Sequence, residues 1–126
     1  MKHLFIPYEL ALKLRDKGFD EPCIAIDLED GKYMTSGGVV MFNKEHAYYQ
    51  RTAITYEQVF RWFREKHNLR SFVDQFARDV DSPNEWVYTY TLKRGDGLNI
   101  QPIFGGDFLS YEEAQNSLIN RMLTFI

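Results

Sequence analysis

The sequence predicts an α+β fold: an antiparallel sheet with three helices packed mainly on one face, in the order α-β-β-α-β-β-α. Three observations carry this. Helix-end signals stand at Gly18, at Thr55 with Gln58, and at Ser110 with Glu113. Period-two alternation runs from Trp86 to Leu92, and more briefly from Cys23 to Leu28. Asp30-Gly31 is a hairpin-turn dipeptide between two short strand-forming runs. With 126 residues and no repeat, linker or low-complexity tract, residues 1–126 read as a single domain.

The first helix is predicted over Pro7 to Lys17, because proline fits a first turn and Leu10, Ala11 and Leu14 share a face with it. Gly18 is its left-handed C′ residue, with Phe19 and Leu14 the apolar pair of a Schellman cap. Ile24, Ile26 and Leu28 alternate with Cys23, Ala25 and Asp27 as a strand. The Asp30-Gly31 turn would set Glu29 opposite Lys32, and Tyr33-Met34-Thr35 begins the return strand. Gly37-Gly38 breaks it as a bulge, turn or joint, and Asn43 to Arg51 reads as a loop or irregular strand.

The second helix, Tyr56 to about His67, starts at the Thr55/Gln58 capping box. Its stripe is Tyr56, Val59, Phe60 and Phe63, with Trp62 between the faces and Glu57, Arg61 and Glu65 on the solvated side. Leu69 to Asp79, with Phe72, Val73 and Phe76, suits either a continued helix or a strand, and the strand is favoured because Asn68 interrupts the helical pattern and a polar turn follows at Asp81-Ser82-Pro83-Asn84. Glu85 to Lys93 is the clearest strand, with Trp86, Tyr88, Tyr90 and Leu92 on one face and Val87, Thr89 and Thr91 on the other. Gly95-Asp96-Gly97 is a turn and residues 98–109 are a short extended segment. Ser110 and Glu113 open the last helix, lined by Ala114, Leu118, Met122 and Phe125.

Aromatic residues make up 16% of the chain: ten Phe, eight Tyr and two Trp. So many rings do not all fit inside so small a body, and some Tyr and Trp are expected at the surface as binding anchors. The net charge of -3 argues against duplex nucleic acid as a partner, which calls for clustered Lys and Arg. The lone cysteine, Cys23, permits no internal disulfide and reads as a small buried hydrophobe. The start, Met1 to Pro7, has no apolar run of signal-peptide length, and no stretch approaches a membrane span. These features predict a soluble, cytoplasmic protein without a membrane partner.

No catalytic constellation is legible. His3, His46 and His67 have no metal-ligand spacing, Gly37-Gly38 and Gly105-Gly106 lack the context of a phosphate loop, and no Gly-x-Ser-x-Gly elbow occurs. Asp27, Glu29 and Asp30 lack calcium-loop spacing. No cofactor, metal or catalytic residue is assigned. The densest basic group is Arg61, Arg64, Lys66 and Arg70. A solvated helix face explains it, while a half-exposed Trp62 edged by Arg61 and Lys66 would make an interface hot spot.

Three segments carry a resemblance: Phe5-Ile6-Pro7-Tyr8-Glu9 leading to Lys17-Gly18-Phe19-Asp20-Glu21-Pro22-Cys23; Tyr56 through His67; and Ser110-Tyr111-Glu112-Glu113-Ala114. Together they resemble a widespread group of small uncharacterised proteins of Bacteroidetes bacteria and their phages or prophages. Residues 30–53 and 70–109 diverge, and Ile54 stands where those proteins often carry Pro. The resemblance implies a bacterial or phage origin and a mobile-element setting. It carries over no catalytic residue.

The resulting expectation is a non-enzymatic protein-interaction module, phage- or prophage-associated, with inhibition of a host defence system as one concrete version. Its contact residues would be Trp62, Lys66, Arg61, Trp86, Tyr88 and Tyr90. The alternatives are a homo-oligomeric structural or nucleotide-binding protein, and a small hydrolase with carboxylates assembled from the turns.

Overall fold

The computed structural model describes residues 4–23, 25–27, 33–35, 52–79, 81–95 and 102–126. The Asp30-Gly31 turn, Gly37-Gly38, the segment from Asn43 to Arg51, and Asp96-Gly97 lie outside the described residues. The protein is α+β, with elements α1 (Tyr8–Asp16), β1 (Ala25–Asp27), β2 (Tyr33–Thr35), β3 (Thr52–Ala53), α2 (Tyr56–His67), β4 (Leu69–Asp79), β5 (Ser82–Arg94), β6 (Ile103–Phe104) and α3 (Tyr111–Leu123). The expected order stands, with one short extra strand joining each antiparallel pair, but the strands form two three-stranded sheets rather than the one expected. The chain groups into two compact units, Met1–Trp62 and Phe63–Ile126, and the division falls within α2.

In the first unit the order of the sheet is β2-β1-β3, all antiparallel. Ala25 lies opposite both Thr35 and Ala53. Asp27 is opposite Tyr33, one residue off the register that pairing Glu29 with Lys32 would give. Phe5 bridges to Thr55, and Ile6 N–H donates to the Ile54 carbonyl at 2.9 Å. The small pair Ala25 and Ala53 clusters with the buried Phe5, as large and small side chains interdigitate in cores.

α1 ends as its sequence specifies. Phe19 N–H donates to the Leu14 carbonyl and Gly18 N–H to the Arg15 carbonyl, both at 3.0 Å, which is the paired bonding of a Schellman turn. Gly18 has φ +98, and Leu14 and Phe19 are both buried. The α2 capping box is reciprocal: Gln58 N–H donates to Thr55 Oγ1 and Thr55 N–H to Gln58 Oε1, each at 3.1 Å. Gln58 Nε2 also donates to the Pro22 carbonyl at 2.7 Å, tying α2 to the approach to β1.

In the second unit β4, β5 and β6 form an antiparallel sheet with β5 in the middle. Leu69–Asp79 is a strand, as its broken helical pattern predicts. Asn68 makes the turn between α2 and β4 with φ 54, and its carbonyl accepts the Gly95 N–H at 3.0 Å. Ser110 caps α3 by accepting the Glu113 N–H at 3.1 Å. Residues facing each other across a ladder share a face. Leu69, Ser71, Val73, Gln75 and Ala77 therefore lie with Arg94, Leu92, Tyr90, Tyr88 and Trp86 on one face. α3 covers that face, with Tyr111 against Tyr88 and Phe125 under the Arg94 guanidinium.

Gly18 has open space where a Cβ would go, so its requirement is conformational alone. Gly18→Ala is expected to lower stability by about 1–2 kcal/mol, the cost of a left-handed non-glycine residue. Urea unfolding measures it; an unchanged midpoint would show that the turn is not formed.

Candidate functional site

The expected hot spot at Trp62 is corrected by the structure. Its indole is only 3% exposed and meets the Phe19 ring edge-on, with centroids 5.5 Å apart. The buried stripe of α2 is Tyr56, Val59, Trp62 and Phe63, while Phe60 is half-buried. Phe19 is the residue that the Schellman turn carries inward, so the stop of α1 supplies the partner that draws Trp62 inside. Arg61 is bound to Glu21, Nη2 to Oε2 at 3.1 Å. That half-exposed pair contributes at most about 1 kcal/mol. Lys66 is exposed on the last turn of α2.

The expected aromatic face of β5 divides along its length. Trp86 is 54% exposed, Tyr88 is half-buried, Tyr90 is 7% exposed and Leu92 is sealed. Tyr90 is thus a core residue and not a contact residue. Its ring stacks on Phe108, centroids 6.0 Å apart and planes 22° apart. It also lies over Gly105, where an added Cβ would sit 2.5 Å from the ring. Tyr90 pairs with Gly105 and Tyr88 with Phe108, so three steps on the return segment oppose two on β5. The extra residue is a β-bulge at Gly105-Gly106-Asp107, which swings Phe108 over Tyr90. Tyr88 meets Tyr111 edge-on at 5.9 Å.

α3 explains where this cover stops. Tyr111 lies at Tyr88 and Phe125 at Arg94. The twelve steps of α3 from Tyr111 to Leu123 rise about 18 Å, and six strand steps reach about 20 Å, so α3 tracks β5 only from position 88 onward. Trp86 lies beyond the start of the helix.

The opposite face of the sheet holds the rings that sequence reasoning missed. Phe72, Thr91 and Phe104 form one row across all three strands, and Phe76 faces Val87 two rows away. Phe72 is 55%, Phe76 37% and Phe104 67% exposed, whereas Val87 and Thr91 between them are buried. Phe72 and Phe104 stand about 10 Å apart across the sheet, two strand spacings. Arg70 and Lys93 face each other at the end of the same face, both exposed. A signal was present in the strand reading of Leu69–Asp79, which puts Phe72 and Phe76 on one side.

A separate open recess of about 350 Å³ is lined by His67, Leu69, Arg94, Gly95 and Phe125. Burial holds the His67 imidazole below its ordinary pKa of 6.5, and its ring is tilted against Phe63 at 6.2 Å. Among the described residues no group of His, Cys, Asp and Glu is placed to hold a metal ion, and no helix is long and apolar enough to cross a membrane. Cys23 is buried, its thiol directed at the Glu21 carbonyl at 3.5 Å.

The two indoles give a direct readout of this geometry. In Trp86→Phe, the remaining Trp62 is expected to fluoresce to the blue and resist acrylamide. In Trp62→Phe, the remaining Trp86 should be red-shifted and readily quenched. Equal quenching of the two would contradict the assignment. No family model, curated protein or solved structure matches this chain, so its own residues are the basis for a functional reading.

Proposed function

We propose that this chain is a non-enzymatic protein-interaction module that binds through the open face of the β4-β5-β6 sheet. One observation carries the reading: three large rings, Phe72, Phe76 and Phe104, stand exposed on one face while smaller neighbours beneath them are buried. Contiguous exposed apolar surface on a small domain marks interaction sites, and aromatic rings dominate the energetics of such contacts. Trp86 stands exposed on the other face at the Asp79/Ser82 end of the hairpin, while the Arg70/Lys93 pair adds cations to the open face at its opposite end. Trp62 and Tyr90 support the sheet and helices from inside and take no part in contact.

The resemblance to proteins of Bacteroidetes and their phages motivates a concrete version, in which the partner is a component of a host defence system. The aromatic face would then occupy a surface that the defence complex needs for its own assembly.

Phe72→Thr combined with Phe104→Thr keeps strand-forming residues and removes the two most exposed rings. Wild-type bait is expected to retain a partner from lysate of a candidate host, identified by mass spectrometry, and the double variant to lose at least nine-tenths of it. Equal retention by the two baits, or no specific protein on the wild type, would sink the reading.

A further inference from the structure

We propose that the recess beside Phe125 is a binding site for a small organic carboxylate: Arg94 takes the carboxylate, while Leu69, His67 and Phe125 wall in an apolar body of one or two rings. The proposal is independent of the open-face reading and uses none of its residues.

The recess is built where four segments of the second unit meet. Asn68, at φ 54, reverses the chain directly after α2, which sets His67 and Leu69 on either side of one sharp turn. Leu69 faces Arg94 at the end of the β4-β5 ladder, and Gly95, at φ 72, donates its N–H to the Asn68 carbonyl at 3.0 Å. The turn and the hairpin end are thereby locked together. After α3 the chain curls back, with the Phe125 N–H on the Met122 carbonyl at 3.0 Å, and the Arg94 guanidinium lies 4.6 Å from the centre of the Phe125 ring. Leu69 is buried, His67 and Phe125 are half-buried and Arg94 is exposed. Apolar walls thus lie inward and a cation stands toward solvent. The volume of about 350 Å³ is at the small end of the roughly 300–1,000 Å³ range of ligand sites, which suits a body of one or two rings.

Charge selects the occupant. The Arg121 guanidinium lies 5.7 Å from the same Phe125 ring, so two cations stand within about 10 Å of each other, a Debye length at about 0.1 M salt. An anion bound beside the ring relieves their repulsion. A guanidinium presents paired N–H donors in a planar fork that matches a carboxylate. The His67 imidazole, held below its ordinary pKa by burial, serves as a neutral wall at neutral pH. Phosphate is the poorer fit. α2 ends at His67 and α3 ends at Leu123, two residues before Phe125, so the partial negative ends of two helices lie at the recess. A dianion is penalised there more than a monoanion, and phosphates favour the opposite helix end.

The test is titration of naphthoate into the isotope-labelled whole chain, with the amide resonances followed by NMR. Leu69, Arg94, Gly95 and Phe125 are expected to shift together, with a dissociation constant of about 1 mM or tighter. Naphthamide, the same body without the charge, should bind at least tenfold more weakly, and naphthyl phosphate above its second pKa should also bind more weakly. Arg94→Gln should weaken naphthoate binding at least tenfold. No shift at those four residues by about 5 mM naphthoate would overturn the proposal, because the constant is then far above the expected one. So would equal binding of naphthamide, tighter binding of the phosphate, or an Arg94→Gln chain that binds like wild type. Shifts confined to Phe72, Phe76 and Phe104 would place the compound on the open face, overturning the proposal and leaving the open-face reading intact. Should Arg94→Gln lose its dispersed spectrum, the comparison of naphthoate with naphthamide on the wild type decides.

Discussion

The second unit is governed by a mismatch of lengths. Thirteen residues of α3 rise about 20 Å, while the thirteen residues of β5 extend about 44 Å. One helix cannot cover even one face of the hairpin. It covers the stretch from Tyr88 to Arg94, and there the core forms: Tyr90 under Phe108, Leu92 sealed, and Leu118, Ile119 and Met122 buried along the helix. The large rings of the sheet that the helix fails to reach are left in water. Trp86 and the three rings of the open face are what remains. Exposure here follows from geometry rather than from the polarity of the residues concerned, and it gives the unit its adhesive surface.

The first unit meets the same aromatic load differently. Among the described residues, Phe5, Phe19, Tyr56 and Trp62 are taken inside, aided by short-range devices that fix chain direction. The Schellman turn reverses the backbone after α1 and delivers Phe19 to the Trp62 edge. Ala25 opposite Ala53 leaves room for Phe5. Gln58 both closes the capping box of α2 and reaches the Pro22 carbonyl, so one side chain fixes the start of the helix and its distance from β1. None of these requires a large sheet, and none leaves an indole in solvent.

What was legible in the sequence was local. Caps at Gly18, Thr55/Gln58 and Ser110 act within six residues, and the structure forms all three. The alternation in β5 was equally plain. Its burial was not, because both faces carry strand-forming residues and the decision lies with α3, some twenty residues away. On α2, Phe60 and Trp62 flank the same stripe, and only the position of Phe19 sends the indole inward and leaves Phe60 half-buried. Phe72 and Phe76 were hidden by their spacing of four, which suits a helix as well as a strand face. Tyr90 was misjudged because the bulge at Gly105-Gly106-Asp107 that brings Phe108 over it is a matter of register, which composition does not encode. An aromatic excess therefore announced exposed rings without saying which.

The central claim is that the rings of the open face contribute little to folding while those beneath α3 hold the unit together. Equilibrium urea unfolding of Phe72→Thr/Phe104→Thr tests it most directly. The account predicts a stability within about 0.5 kcal/mol of wild type, as for surface substitutions away from special features. A loss of about 3 kcal/mol or more, the scale of removing a buried phenylalanine, would place those rings in the core and contradict it.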